Sequence, residues 1–240
     1  TFDERLHGLV SKGPLPLGRD PDRRDPIPSG VGSSQDVGGG GARHVVFGRF
    51  TAEQHHEMNA LVGVPRGGHR PTVPSAPVRI RASEAAAGIG GRLIGPDVEF
   101  EGASFDSRST QPGQLFVPIV AERNGHEFIG AALERGATVH LTSEPDPFRR
   151  DGTAIEVADT AQALLALAQW ARPRLDARVV GVTGSVGKTS AKDLMAAACS
   201  AGRRTTANER SFNNEQGLPV TILNAPDDTE VLILEMGMRG

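Results

Sequence analysis

The chain of 240 residues has a single cysteine, Cys199, and so can build neither a disulfide scaffold nor a cysteine-ligated zinc module. It has no surplus of one charge: 26 Lys and Arg stand against 29 Asp and Glu, a formal net of −3. No stretch carries a basic run, which argues against nucleic-acid binding by phosphate neutralisation. No apolar run reaches the roughly 18–20 residues that a bilayer span needs, and the first residues lack the apolar stretch of a secretion signal, so no membrane insertion is expected. A soluble, reducing, cytoplasmic setting is the expectation. Thr1 rather than methionine opens the sequence, as expected of a fragment or a trimmed chain. At about 100–200 residues per domain, the length fits one or two domains.

What is present is unevenly spread. Residues 1–77 hold 13 of the 30 glycines and 9 of the 17 prolines, a load that leaves no room for a periodic apolar face. A Gly/Pro-rich, disordered extension is expected there. Only the surroundings of Phe47 and the stretch Ala52 to Val62 offer a short strand and helix. Five of the seven histidines also lie here. The adjacent His55 and His56 would point about 100° apart on a helix, a poor arrangement for one metal ion.

From Val78 the chain alternates strand-like and helix-like segments. A short helix is expected after Ser83 as N-cap, stopping at Gly88, Gly90 and Gly91. Strands are expected at Arg92–Ile94, Val98–Phe105, Leu115–Val120, Thr138–Thr142 and Ala154–Val157, with a helix from about His126 to Arg135 ending at Gly136. Asp159 or Thr160 caps an Ala- and Leu-rich helix to about Ala171, broken by Pro173. Then come strand Arg178–Val182, helix Lys188–Ser200, a short strand near Thr205, a helix after Asn214 and strand Val231–Leu234. The continuous apolar character of the last strands predicts a parallel sheet covered on both faces, an α/β fold.

One motif carries chemistry by itself. Arg178 to Ser190 reads as buried strand, glycine-rich turn and helix start, the order a phosphate cradle requires. Thr183, Gly184, Ser185, Val186, Gly187, Lys188 and Thr189 form the short GxxGK[ST] version, because Val182 stands where the longer motif has its first glycine. Lys188 can reach the β- and γ-phosphates of a nucleotide, and the Thr189 hydroxyl can join a Mg²⁺ shell. Glu235 ends the apolar strand near the C-terminus, where ligands of doubly wound sheets bind, and is a candidate second metal ligand. The bland alternatives are an ordinary strand–helix turn with a solvated lysine, and a solvated glutamate.

With these residues and three further segments, the stretch from Val78 to Gly240 resembles the Mur ligases of peptidoglycan synthesis. The loop Thr183 to Thr189 is similar to that family's ATP motif. Phe105 to Pro118 with Asn124 to Ile129 resembles its UDP-substrate domain. Ser211 to Pro219 and Glu235 to Gly240 resemble the branch that adds D-alanyl-D-alanine. The resemblance implies a fold in which a small α/β UDP-sugar domain (78–157) precedes the opening of a parallel-sheet ATPase domain (158–240). Ser107, Arg108 and His126 would then contact the UDP end of the substrate, and Asn213 and Asn214 the ATP phosphates, Mg²⁺ or substrate. Arg108 can equally form a surface salt bridge, His126 can cap its helix, and Asn214 can cap the next one. Asp106 reads as a turn or cap residue. Asn124 departs from the family pattern, which has aspartate there.

The activity implied by resemblance is ATP-dependent amide ligation in a monomer, with ATP and Mg²⁺ as cofactors. UDP-N-acetylmuramoyl-tripeptide and D-alanyl-D-alanine would be its partners and an acyl phosphate its intermediate. No covalent role falls to Cys199. The resemblance also implies that a carbamylated lysine, a metal-site histidine and a dipeptide-binding domain follow in members of the family. The 240 residues alone are therefore expected not to turn over, and the strand Val231–Leu234 to be left with exposed faces and unpaired neighbours. Two rivals stand beside this reading: a sister ligase that adds the third amino acid, and a non-catalytic module that binds a nucleotide or UDP-sugar.

Overall fold

Short runs rich in Val, Ile and Leu set the sheets. In the computed structural model the described residues are 75–145, 152–209 and 214–237. The expectations for the extension before Ser75, for His55 and His56 and for Asn213 lie outside the described residues. The five-stranded sheet has the order β2-β7-β6-β5-β4, built from β2 (Arg92–Ile94), β4 (Ala103–Ser104), β5 (Leu115–Phe116), β6 (Val139–Thr142) and β7 (Thr153–Glu156). Strands β4 to β7 run parallel and β2 is antiparallel to β7. All four residues of β6 are buried, as a strand covered on both faces requires.

The expected strand Val98–Phe105 is two strands. Gly102 takes a left-handed backbone, φ +71°, and breaks the run into β3 (Glu99–Glu101) and β4. β3 pairs antiparallel with β1 (Arg79–Arg81) in a separate two-stranded ribbon. The expected strand Leu115–Val120 keeps regular pairing only over Leu115–Phe116 before Pro118 ends it.

Helix α1 (Ala82–Ile89) has Arg81 rather than Ser83 as its N-cap. Ser83 sits inside the first turn, where its N–H and Oγ donate to the Asp97 carboxylate at 3.0 and 2.9 Å. A loop 14 residues away thus supplies the capping acceptor, and the Ser83 bonds hold the Asp97 carboxyl below its usual range. The expected helix at His126 opens as a 3-10 turn, Gly125–Phe128, continues as α2 (Ile129–Glu134) and stops at Gly136.

Helix α3 (Thr160–Ala171) starts as predicted: Asp159 accepts from the N–H groups of Ala161 and Gln162 at 2.8 and 3.0 Å. Its buried stripe, Thr160, Ala163, Leu164, Leu167, Ala168 and Ala171, keeps the 3.6-residue period. Burying Leu164 and Leu167 contributes about 1.5–3 kcal/mol each. This helix packs on α1 and also on α5 (Gly217–Leu223), so one continuous core crosses the boundary expected at residue 157. At the start of the described residues, Ala76 O accepts from Asp227 N–H at 3.0 Å and Pro77 bridges Pro226. Between α3 and the next strand, the fully buried Arg172 donates to Leu175 O and Ala177 O at 2.9 and 2.8 Å, which fixes the connecting turn.

The second sheet is parallel, order β8-β10-β9, from β8 (Arg178–Val182), β9 (Thr205–Ala207) and β10 (Val231–Glu235). Helix α4 (Lys188–Ser200) connects β8 to β9. The expectation of exposed faces on the last strand is overturned, while its neighbours β8 and β9 are the edges of the described sheet. β10 lies between β8 and β9, pairs with both, and all five of its residues are buried. The two flanking strands arrive earlier in the chain, so the central position is filled last.

Candidate functional site

Strands β8 and β10 are in register, with Val182 opposite Glu235, so both carboxyl ends stop at one level. The loop Thr183–Gly187 leaves one end and the Glu235 carboxylate stands at the other. Gly187, at φ +78°, is the N-cap of α4. That left-handed turn aims the helix N-terminus back across the loop, where successive N–H groups can meet an anion. Lys188 Nζ lies over the same loop and donates to Gly184 O at 2.6 Å. Thr189 Oγ1 donates to Glu235 Oε1 at 3.2 Å. The motif residues Thr183 to Thr189 and Glu235 are therefore one cluster, as their spacing predicted. Val186 at the loop tip is 91 % exposed, so the rim of the cradle is open to a ligand.

Two members of this cluster escaped the sequence reading. Asn208, fully buried just beyond β9, accepts from Glu235 N–H through Oδ1 at 2.7 Å. Lys192, one helical turn beyond Lys188 and 2 % exposed, donates through Nζ to Asn208 O at 2.7 Å. A buried ammonium is costly unless bonded, and here it anchors the segment that orients Glu235. The i, i+4 spacing from Lys188 was the available signal. Asn208 had none, because its role depends on β9 and β10 lying side by side.

Hard oxygen ligands suit Mg²⁺, which binds through one or two protein oxygens with the rest of its shell from water and phosphate. The Thr189 hydroxyl and Glu235 carboxylate fit that donor set. Among the described residues no group of three or more His, Cys, Asp or Glu is placed to hold an ion unaided, so a site completed by a nucleotide is the consistent arrangement.

The facing element is the turn after β4. The Asp106 carbonyl accepts from the hydroxyls of Ser104, Ser109 and Thr110 at 3.0–3.2 Å. Its carboxylate accepts from Arg108 in a bidentate pair, Nε to Oδ1 at 2.9 Å and Nη2 to Oδ2 at 2.7 Å. The Arg108 bonds hold the Asp106 carboxyl below its usual range, against a smaller opposing effect of burial. Arg108 is thus paired within the turn, yet its side chain is 86 % exposed and its outer N–H groups face solvent. Ser107 is buried.

His126 is placed differently from its expected role. It is buried, Nε2 accepts from Ser143 N–H at 3.1 Å, and Nδ1 meets Asn124 Oδ1 at 2.8 Å. Both ring nitrogens are occupied, so in this conformation His126 ties the 3-10 turn to the end of β6 and offers no nitrogen to a diphosphate. Asn124 is the side-chain cap of that turn, and its amide donates to the Glu144 carboxylate at 2.9 Å. Asn214 takes the capping alternative: its Oδ1 accepts from Gly217 N–H at 2.8 Å at the start of α5.

Beside the turn after β4 lies a cavity of about 550 Å³. Ser104, Asp106 and Ser109 line it from β4 and the turn, and Thr206, Glu209 and Thr221 from β9, the residues after it and α5.

Comparison with known proteins agrees with this geometry. The family model for the Mur ligase middle domain matches residues 182–240. The UDP-N-acetylmuramoyl-tripeptide–D-alanyl-D-alanine ligase of Bacillus subtilis (strain 168) is 40 % identical over 156 residues, covering 62 % of this chain and 34 % of that protein. The protein of the same name from Escherichia coli (strain K12) is 34 % identical over 161 residues, covering 67 % of this chain and 35 % of that one. A crystal structure of MurF from Acinetobacter baumannii superposes with a TM-score of 0.60 at 25 % identity, over 69 % of this chain and 37 % of that one. The chain spans about a third of the length of the curated relatives it matches. Residues 182–240 thus match the Mur ligase middle domain, and the chain is similar over about two thirds of its length to the ligases named above.

Proposed function

We propose that this chain forms the UDP-substrate and ATP-binding parts of a ligase that joins D-alanyl-D-alanine to UDP-N-acetylmuramoyl-tripeptide, with ATP as co-substrate and Mg²⁺ as cofactor. The carrying observation is the Thr189–Glu235 pair at the aligned ends of β8 and β10, beside Lys188 and the loop. Curated relatives bearing that ligase's name, aligned over most of the described residues, support the substrate class.

In the proposed reaction the terminal carboxylate of the muramoyl tripeptide attacks the γ-phosphate, giving an acyl phosphate and ADP. The amine of D-alanyl-D-alanine then displaces phosphate. Lys188 and the loop N–H groups neutralise negative charge as it moves toward the β-phosphate. Thr189 and Glu235 would hold Mg²⁺, which would supply further charge neutralisation. Asn208 and Lys192 keep Glu235 aimed at that position. Arg108 and Ser107 hold the UDP end. No side chain here forms a covalent bond to substrate. Cys199 is buried at the end of α4 with its thiol pushed up by burial, the wrong state for a nucleophile. For residues 1–240 by themselves we propose ligand binding without turnover. The reading places the protein as a monomer in the cytoplasm, and among the described residues no helix is long and apolar enough to cross a membrane.

Calorimetric titration with UDP-N-acetylmuramoyl-tripeptide and with the corresponding dipeptide tests the assignment. Tighter binding of the tripeptide is expected. Preference for the dipeptide would point to the sister ligase that adds the third residue, and equal binding of plain UDP to a module without peptide recognition.

A further inference from the structure

A sheet edge presents a row of N–H and C=O groups that need partners. At β4, the edge of the five-stranded sheet, Ala103 is 1 % exposed, so water cannot serve. The partner is a side chain and not a strand. Asn224, the residue that ends α5, accepts from Ala103 N–H through Oδ1 at 2.8 Å and donates through Nδ2 to Ala103 O at 2.9 Å. One amide makes both bonds that a neighbouring strand would make.

The surroundings are built for this contact. A Cβ at Gly102 would run into Asn224 Oδ1, so the approach needs glycine at the residue before Ala103. The turn after Asn224 is itself anchored, through Asp227 N–H to Ala76 O at 3.0 Å. An apolar residue in place of Asn224 would leave two buried backbone groups of Ala103 without partners. A polar clamp of this kind admits one position, whereas a purely apolar contact can slide.

The clamp also joins the two candidate substrate sites. Helix α5 is seven residues long, roughly 10 Å at 1.5 Å per residue. Asn214 accepts from its first N–H, the helix packs on β10, the strand that ends in Glu235, and Asn224 fixes its end to the strand that runs into the Ser104–Arg108 turn. Asn224 also lines the cavity beside that turn, together with Thr206 and Ala207 of β9, so the width of that cavity depends on this contact.

We propose that Asn224 is a positioning residue that sets the separation of the UDP-substrate turn and the nucleotide loop. It thereby makes binding at one site favour binding at the other. The inference rests on the ATP and muramoyl-peptide reading above. Reactants held at a fixed separation lose less freedom on approach, which is where a positioning contact acts.

Two variants test it. Asn224→Asp is nearly isosteric, keeps the acceptor for Ala103 N–H, and sets a carboxylate oxygen against Ala103 O. Asn224→Ala removes both bonds; should it fail to fold, the Asp variant carries the comparison. The quantity measured is the affinity for UDP-N-acetylmuramoyl-tripeptide without and with a saturating non-hydrolysable ATP analogue and Mg²⁺. The parent chain should show a ratio of about threefold or more, within the usual range of coupling between sites. Both variants should bring it near one while still binding the ATP analogue alone within about twofold. Lost stability alone would lower the melting temperature and both affinities without moving their ratio. A variant that keeps the parent's ratio, or a parent ratio of one, overturns the inference and leaves the functional reading intact. A parent chain that binds neither ligand overturns both.

Discussion

The two candidate sites are built on opposite principles. Around the phosphate loop the functional geometry is made by backbone: the register of β8 with β10, the left-handed Gly187 and the N-terminus of α4. The side chains that matter there, Lys188, Thr189 and Glu235, stand where the strand ends put them. At the serine-rich turn the geometry is made by side chains that bind one another: Arg108 to Asp106, and three hydroxyls to the Asp106 carbonyl. A backbone cradle is specified by a few residue types at fixed spacing. A side-chain network is specified only once the fold has closed.

The largest way to break this comparison is to break the core that both regions share. Leu164 on α3 is fully buried where that helix touches α1 and α5. Leu164→Ala should destabilise the protein by about 2–5 kcal/mol. Denaturation followed separately in each sheet by hydrogen exchange should show both losing protection together. Independent unfolding of the two sheets would mean that they are separate bodies.

A sharper cut removes one site only. Arg108→Ala should weaken UDP-N-acetylmuramoyl-tripeptide binding by about 1–2 kcal/mol, roughly five- to thirtyfold, and leave ATP binding alone. The effect is kept modest because the guanidinium already spends two of its bonds on Asp106. Unchanged affinity in a titration would return Arg108 to a turn-forming role.

These contrasts explain what could be read from residues alone. The loop Thr183–Thr189 was legible because its motif is sequence-local, and Glu235 because it ends an apolar run. The helix at Thr160–Ala171 was legible because Asp159 and the apolar period agree. Other features depend on partners far along the chain. Ser83 looked like a cap, but the Asp97 carboxylate satisfies that helix start. Val98–Phe105 looked like one strand, since nothing local reveals that Gly102 turns left-handed to feed two sheets. His126 read equally as a diphosphate contact or a helix cap, and here Ser143 and Asn124 engage both its ring nitrogens. Lys192 and Asn208 acquire meaning only when β9 and β10 lie side by side.

Smaller tests follow the same division. Asp159→Ala removes the acceptor for two helix N–H groups and should cost about 1 kcal/mol in chemical denaturation. Both ligand affinities should stay unchanged, and a shift in either would tie α3 to a site directly. The smallest effect is a pH dependence at the serine-rich turn. The Asp106 carboxyl is lowered from its ordinary value of 3.8 by Arg108. The stability it contributes is therefore present above that value and lost as pH falls through the folded-state value below it. Asp106→Asn should lack this part of the acid-side decline. An identical stability profile between pH 2 and 5 for parent and variant would remove the pair from the account.

The central claim is that Lys188 and the loop bind the phosphates of ATP. Titration of parent and Lys188→Ala protein with ATP in Mg²⁺, and separately with UDP-N-acetylmuramoyl-tripeptide, tests it most directly. Loss of the charge-assisted bonds should weaken ATP binding by about 2–4 kcal/mol. Affinity for the muramoyl peptide alone should stay within about twofold. Equal ATP affinity in the two proteins would contradict the phosphate-loop assignment.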